Sequence, residues 1–272
     1  MINNTHLSAL YANKAANKWA DVAATSSERI STTLRINRSS DDPAGLMVAT
    51  TLSAELSSYT RAIDNIHSGI AAVQMVDASL TSITSHLTEM RTLAVSAASA
   101  NSATALAAYQ TSFSSYRSDI DNVATYTTLN GSSLMDGSTT SLTIQAGIAA
   151  GDSRTLSFSS ATTATLGLTS LDVSTDASTA ITTIDTALET IASYQSKMGA
   201  YETLMDHRET LANNMVLAKT TAYGHIMDAD IAAETTALAA AQIGQEAATA
   251  VMVQANTISK EIVAYLLQGM TN

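Results

Sequence analysis

The 272-residue chain has no cysteine, one proline, one tryptophan and two phenylalanines. Without cysteine there is no disulfide scaffold, no thiolate metal site and no cysteine nucleophile. A single proline, against an average share of about 5%, leaves long stretches of backbone free to stay helical. Aromatic residues make up only 4% while hydrophobic residues make up 46%. Ala, Leu, Ile, Val and Met therefore carry the apolar content, and Ser and Thr dominate the polar side. Basic residues are also scarce, 13 Lys and Arg against 24 Asp and Glu, for a net charge of −11. That balance excludes a nucleic-acid surface spread over the whole chain, because such surfaces neutralise phosphates with basic groups. No run reaches the ~20 continuous apolar residues of a membrane span. The most apolar stretch, Ala237 to Val253, is broken by Gln242, Gln245 and Glu246, so no membrane insertion is expected. The first residues, Met1-Ile2-Asn3-Asn4-Thr5-His6, lack a basic region followed by an apolar run, so no cleaved signal peptide is expected. Export by a dedicated machine remains open.

What is abundant is helical periodicity. From Ala49, apolar residues fall at Leu52, Leu56, Tyr59, Ile63, Ile66, Ile70 and Val73, in alternating steps of three and four. The alternation slips once between Val73 and Val76, then resumes through Leu80, Ile83, Leu87, Met90, Ala94 and Ala97. This 3.5-residue repeat with one stammer predicts a long coiled-coil-like helix of about 75 Å, and with it an elongated molecule. Asp41-Asp42-Pro43 supplies its start, with acidic cap candidates and a proline suited to the first turn. The spacing of Leu106, Tyr109, Phe113, Tyr116, Ile120 and Val123 predicts a second helix, stopped by Asn130-Gly131. Ser96 to Ala103 turns the chain between them.

From Leu134 to about Val173 the period becomes two. Ser141 to Gln145 and Thr155 to Ser159 each alternate, with Gly147 and Gly151-Asp152 between them, which predicts a β-hairpin with a longer loop. Helix returns through Ile181, Ile184, Leu188 and Ile191. The final stretch carries a seam of mostly small residues: Ala233, Ala237, Ala240, Gly244, Ala247, Val251, Ala255, Ile258, Ile262 and Tyr265. Small side chains let helix backbones approach, a compensation for the ~1 kcal/mol that a mid-helix glycine loses against Ala. The plan is helix, long helix, helix, hairpin, long helix, helix. Apolar helices at both ends, without an obvious partner in their own chain, suggest that another copy is the partner.

Little in the chain speaks for chemistry. The five histidines (His6, His67, His86, His207 and His225) include no pair four residues apart, so surface roles are expected rather than a metal site. Asp228 and Asp230 are read as caps of the final helix, where the dipole favours negative charge, rather than as catalytic carboxylates. Met198, Met205, Met215, Met227 and Met252 read as packing residues. With no phosphate loop and no nucleophile motif, neither catalysis nor a cofactor is expected. Residues 1–40 stand apart in charge, with Lys14, Lys18, Arg29, Arg35 and Arg38 against Asp21 and Glu28. Such a basic arm is either a solvated face or a dock for a neighbour's acidic groups.

Several motifs in order resemble bacterial flagellin. Glu28-Arg29-Ile30-Ser31 and the run Leu34-Arg35-Ile36-Asn37-Arg38-Ser39-Ser40-Asp41-Asp42-Pro43-Ala44-Gly45 are similar to its N-terminal signature. Asp77-Ala78-Ser79-Leu80, Met90-Arg91-Thr92-Leu93-Ala94-Val95 and Leu129-Asn130-Gly131 resemble its following blocks. Ile226-Met227-Asp228-Ala229-Asp230, Gln254-Ala255-Asn256 and Leu266-Leu267 are similar to its C-terminal end. The resemblance spans residues 1–135 and 180–272. Thr33 departs from it, standing where the family has glycine.

The resemblance implies a mainly α fold, an elongated coiled-coil-like helical hairpin or bundle with a small β-hairpin region, forming a two-layer rod. Residues 1–44 and 228–272 would form a terminal coiled-coil inner domain, and residues 45–227 a helical rod with its hairpin at about 134–173. Only some forty residues separate the hairpin's start from the returning helix, so this would be a minimal form without outer variable domains. The implied function is a structural, non-enzymatic subunit that self-polymerises into the extracellular flagellar filament used for motility, its terminal helices ordering on assembly. Inner-layer contacts would fall on Leu7, Leu10, Ile30, Leu34, Ile36, Ala240, Gly244, Ala247, Val251 and Ile258. The axial subunit contact would fall on Arg35, Asn37, Asp41, Asp42 and Pro43. Arg91 and Leu93 match the patch sensed by a vertebrate innate receptor, while Glu89 reverses the charge found there. The implied partners are other copies, hook-associated junction and cap proteins, and an export chaperone. The alternatives are a hook–filament junction protein of the same fold and a non-polymerising coiled-coil binding module.

Overall fold

Helix dominates the computed structural model, which describes the backbone of residues 2–269 and the side chains of residues 7–258, 260–261 and 263–265. His6, Ile262 and the Leu266-Leu267 pair lie outside the described side chains. The order is α1 (Ile2–Thr32), α2 (Pro43–Ala98), α3 (Ala103–Tyr126), β1 (Thr128–Leu129), β2 (Ser132–Ser133), β3 (Ser141–Gln145), β4 (Ser153–Ser157), α4 (Ala177–Met227) and α5 (Ile231–Gly269).

Three helices start on aspartate caps. The Gly45 amide donates to Asp42 Oδ1 at 2.8 Å, with Pro43 in the first turn as its sequence context predicts. At α4, the Thr179 amide donates to Asp176 at 3.0 Å. At α5, the Ala232 and Ala233 amides donate to Asp230 at 2.9 and 3.1 Å. Asp228 does not share the capping role expected of it. It pairs instead with Leu34 in an isolated antiparallel bridge. The many Ser and Thr hydroxyls stay compatible with helix by donating to carbonyls one turn back, as Thr81, Ser85, Thr88 and Thr92 do along α2.

The chain divides into two compact units, Met1–Ala54 with Lys219–Asn272, and Glu55–Ala218. In the second unit, the α2 stripe Val73, Val76, Leu80, Ile83, Leu87, Met90, Ala94 and Ala97 is buried, slip included. It shares a core with Phe113 and Ile120 of α3, Ile184 and Ile191 of α4, and Leu156 and Phe158 of the β region. Met198 and Met205 join that core, whereas Met215, expected to pack, is 39% exposed.

The Ser/Thr-rich segment between α3 and α4 is pinned by side chains of the helices. Asp121 accepts from the Thr163 amide (2.9 Å) and hydroxyl (2.7 Å), and Gln110 accepts from the Val173 amide at 2.9 Å. The Arg117 guanidinium donates to the Thr169 carbonyl at 2.8 Å, and the Ser157 amide donates to the Tyr201 hydroxyl at 3.2 Å. Strand β3 pairs antiparallel with β4, Leu142 opposite Leu156, and β4 runs two residues earlier than the alternation from Thr155 to Ser159 predicts. Asn130-Gly131 does more than stop a helix. With φ of 51° and 82° it forms the two-residue turn of a second hairpin, β1 on β2.

Candidate functional site

The first unit gathers the residues for which the sequence suggested a role. Helices α1 and α5 lie against each other, so the end helices do have a partner in their own chain, contrary to expectation. Their seam is built from small residues. Ala12 and Ser26 of α1 and Ala241, Ala248 and Ala255 of α5 are all buried. Gly244 sits under the indole of Trp19, where an added Cβ would lie 2.5 Å from Trp19 Cε2. The close approach of the two backbones therefore requires glycine at that point.

One ion pair fastens the seam. Arg29 Nη1 lies 3.0 Å from Glu234 Oε1. A hydrogen bond from the Ser26 hydroxyl, then Arg29, hold the Glu234 carboxyl below the ordinary carboxylate range against the opposing effect of burial. Arg38 makes a two-pronged contact with Glu28 at 3.2 and 2.6 Å.

Where α1 gives way to α2 and α4 to α5, the two connections are stitched together. The Arg35 amide donates to the Met227 carbonyl at 2.6 Å, and the Ala229 amide donates to the Thr33 carbonyl at 3.0 Å. The Arg35 guanidinium donates to the Ile226 carbonyl from Nε (3.1 Å) and Nη2 (2.7 Å), a cation on the negative end of α4. Asp41 accepts from the Asn37 and Arg38 amides, and these two bonds hold its carboxyl below the usual range. Asn37 Nδ2 donates to the Leu34 carbonyl at 3.0 Å. Ile36 is buried with Ala49 and Met227, and Leu34 packs against that cluster. Thr33 has φ 60°, a left-handed backbone that a β-branched residue adopts only under strain. It follows the last residue of α1, the position where helices commonly end on glycine.

The sequence-derived residues thus fall into three sets. Arg35, Asn37, Asp41, Asp42 and Ile36 are engaged within the chain, while Pro43 is exposed. Leu7, Leu10, Val251 and Ile258 are exposed, as are Ala240 and Ala247, and Ile30, Leu34 and Gly244 are half-buried. At about 100° per residue, Ala240, Ala247, Val251 and Ile258 lie roughly a quarter turn from the buried seam of Ala241, Ala248 and Ala255. Of the basic arm, Arg29, Arg35 and Arg38 are held within the chain, and Lys14 and Lys18 are exposed. In the second unit, Glu89 and Arg91 are exposed and Leu93 is half-buried, with Arg91 Nε 2.6 Å from Asp185 Oδ1. Trp19, Ala241 and Ala248 were not singled out by spacing. As the chain's sole tryptophan among alanines, Trp19 was the available signal.

Among the described residues no group of three or more His, Cys, Asp or Glu could hold a metal ion, and no helix is long and apolar enough to cross a membrane.

Comparison with known proteins agrees with this architecture. The family model described as the bacterial flagellin N-terminal helical region matches residues 3–140, and that of the C-terminal helical region matches residues 181–266. A flagellin of Salmonella muenchen is 34% identical over 186 residues, 67% of this chain and 36% of the relative. A flagellin of Xenorhabdus nematophila is 30% identical over 154 residues, 56% of this chain and 49% of the relative. The chain thus spans less than half the length of these two relatives. The crystal structure of Bacillus cereus flagellin superposes with a TM-score of 0.51 at 28% identity, covering 57% of this chain and 94% of that one. With these two family models together matching well over half of its residues, the chain belongs to the bacterial flagellin family.

Proposed function

We propose that the chain is a structural subunit that polymerises with copies of itself into an extracellular flagellar filament used for motility, without enzymatic activity. The observation that supports this most directly is the inverted burial of the α1–α5 pair. Its seam consumes alanines, a serine and a glycine, while Leu10 and Tyr11 of α1 and Ile243, Val251 and Val253 of α5 are each more than half exposed. Burying a Leu or Val side chain stabilises by about 1.5–3 kcal/mol. Several of them left in water on one helix pair, while its seam is filled by small residues, point to an interaction surface.

In this reading, one face of each terminal helix is satisfied within the chain and the other by neighbouring subunits. The pair is marginal alone, because two helices cannot bury all their apolar surface against one another. Neighbours complete its ordering during assembly. Inner-layer contacts then fall on Leu7, Leu10, Ala240, Ala247, Val251 and Ile258. The clasp from Arg35 to Pro43 sets the geometry of the axial contact through its backbone rather than through free side chains. Hook-associated junction and cap proteins would meet the same surfaces at the filament's ends, and an export chaperone would cover the apolar face of α5 beforehand.

Electron microscopy of the purified chain, seeded with short filaments in precipitating salt, tests the proposal. Long uniform filaments are expected, and deleting residues 1–30 or 245–272 should abolish them while the second unit stays helical. A persistent monomer would move the reading to a coiled-coil binding module. A chain that caps seeds without extending them would move it to a junction protein.

A further inference from the structure

We propose that the outward face of α1 docks on the outward face of α5 of a second copy, with Lys14 and Lys18 astride that copy's Glu246, and Leu7 and Tyr11 astride its Val253. The inference rests on the filament reading and names the chemistry of one contact within it.

Helical phase places these residues. On α1, Leu7, Tyr11, Lys14 and Lys18 form a face whose members lie roughly a quarter to two-fifths of a turn round from the seam of Ala12, Trp19 and Ser26. All four are exposed, Tyr11 by 66%. On α5, Ile243, Glu246 and Val253 lie away from Ala241, Ala248 and Ala255. They too are exposed, Val253 by 58%. A chain's own α1 cannot reach this face, because its α5 is already engaged on the opposite one.

The two faces match in spacing and in charge. Each lysine stands seven residues, two helical turns, beyond one of the apolar pair, Lys14 after Leu7 and Lys18 after Tyr11. Glu246 stands seven residues before Val253. Laid antiparallel, the basic pair therefore straddles the carboxylate in the same register that sets the apolar pair around the valine. Lys14 and Lys18 are the basic groups this side of α1 has to offer, since Arg29, the other basic residue of α1, is paired with Glu234. Two lysines fall short of the four to eight basic residues, roughly, that mark an anionic lipid surface. An acidic, part-apolar helix face is the better match.

The contact joins two different surfaces, so it is heterologous. A heterologous contact that does not close on itself builds an open helical polymer. Charge complementarity would set register and on-rate, with the apolar residues adding to lifetime.

The test is seeded elongation of the full-length chain, with helix content followed by circular dichroism. Lys14→Glu with Lys18→Glu, and separately Glu246→Lys, should each slow elongation by about ten-fold or more, because each places like charges in register. Neutral Lys14→Gln with Lys18→Gln should slow it less. The triple variant Lys14→Glu, Lys18→Glu, Glu246→Lys exchanges both faces and should recover most of the wild-type rate. A charge-reversed variant that elongates normally, or a helical triple variant no better than its parents, overturns this contact while leaving the filament reading intact. A wild-type chain that never elongates defeats the filament reading, and this contact with it.

Discussion

In the second unit, Leu80, Ile83, Leu87 and Met90 of α2 share one core with Phe113 and Ile120 of α3, and all six side chains are fully enclosed. In the first unit, the enclosed side chains among the described residues of α1 and α5 are alanines and a serine, while Leu10, Ile243 and Val253 remain in water. Both units are built from long helices with apolar residues at steps of three and four. They differ in where the large residues go. A helix whose large residues face inward is stabilised by its own chain. One whose small residues face inward brings two backbones close and keeps its large residues for another surface. Periodicity alone identifies helices; the size of the residue on each face separates a finished core from an unfinished one.

The largest effect that could break this contrast is a cavity in the second unit. Leu80→Ala should destabilise it by about 2–5 kcal/mol, read as a lower denaturant midpoint. Leu10→Ala in the first unit should change the stability of the isolated chain by less than about 0.5 kcal/mol, since the side chain is 66% exposed. Equal losses from the two would mean that α1 is covered within its own chain.

A bulkier residue at Gly244 tests the tight seam directly. Gly244→Leu puts carbon atoms where the Trp19 ring lies, and overpacking of this kind typically destabilises by about 1–3 kcal/mol. Trp19 is the only tryptophan, so its fluorescence reports on this seam alone. A red shift is expected in the variant, together with loss of seeded assembly. Thr33→Gly should act in the other direction. It relieves a left-handed conformation that a β-branched residue tolerates poorly, and should stabilise the clasp by about 1 kcal/mol. A lower melting temperature of the first unit would show that the Thr33 hydroxyl, which donates to the Thr32 carbonyl at 2.6 Å, contributes more than the strain removes.

Legibility followed residue size as well. The α2 stripe could be read to the residue because its large side chains stand against a Ser/Thr background, so the slip between Val73 and Val76 showed. In α5 the phase was lost. Alanine occurs at 237 through 241 except 238's leucine, and again at 247, 248 and 250, so small residues lie on every side and no single stripe is marked. The choice of Ala241 and Ala248 over Ala240 and Ala247 is made by packing against α1, a helix more than two hundred residues away in sequence. The Asn130-Gly131 hairpin was legible in principle, since that dipeptide favours a turn with two positive φ values. Its strands are only two residues long, too short to show a period of two, and they follow directly on the end of α3. The clasp was partly visible as motif residues. The two bonds that join the connections, from the Arg35 and Ala229 amides, run backbone to backbone and leave no mark in residue type.

Acid sharpens the comparison most finely. Ser26 and Arg29 stabilise ionised Glu234, so its carboxyl is more acidic in the folded chain than the ordinary 4.5. A group of lowered folded pKa contributes stability above its unfolded value and loses it as the pH falls through the folded one. The first unit should therefore weaken below about pH 4.5, with Trp19 reporting. Asp136, Asp172 and Asp176 are lowered in the same direction by their serine and threonine hydrogen bonds, so the second unit also weakens in acid. The two responses separate by substitution. Glu234→Gln removes the titration from the α1–α5 seam and should flatten the acid limb of the Trp19 signal, leaving the helix content of the second unit to fall as before. Asp176→Asn should lessen the second response, with Asp136 and Asp172 still titrating, and leave the first unchanged. A Trp19 signal whose acid limb is unchanged by Glu234→Gln would mean that the seam is held by its alanines and Gly244, with the ion pair a bystander.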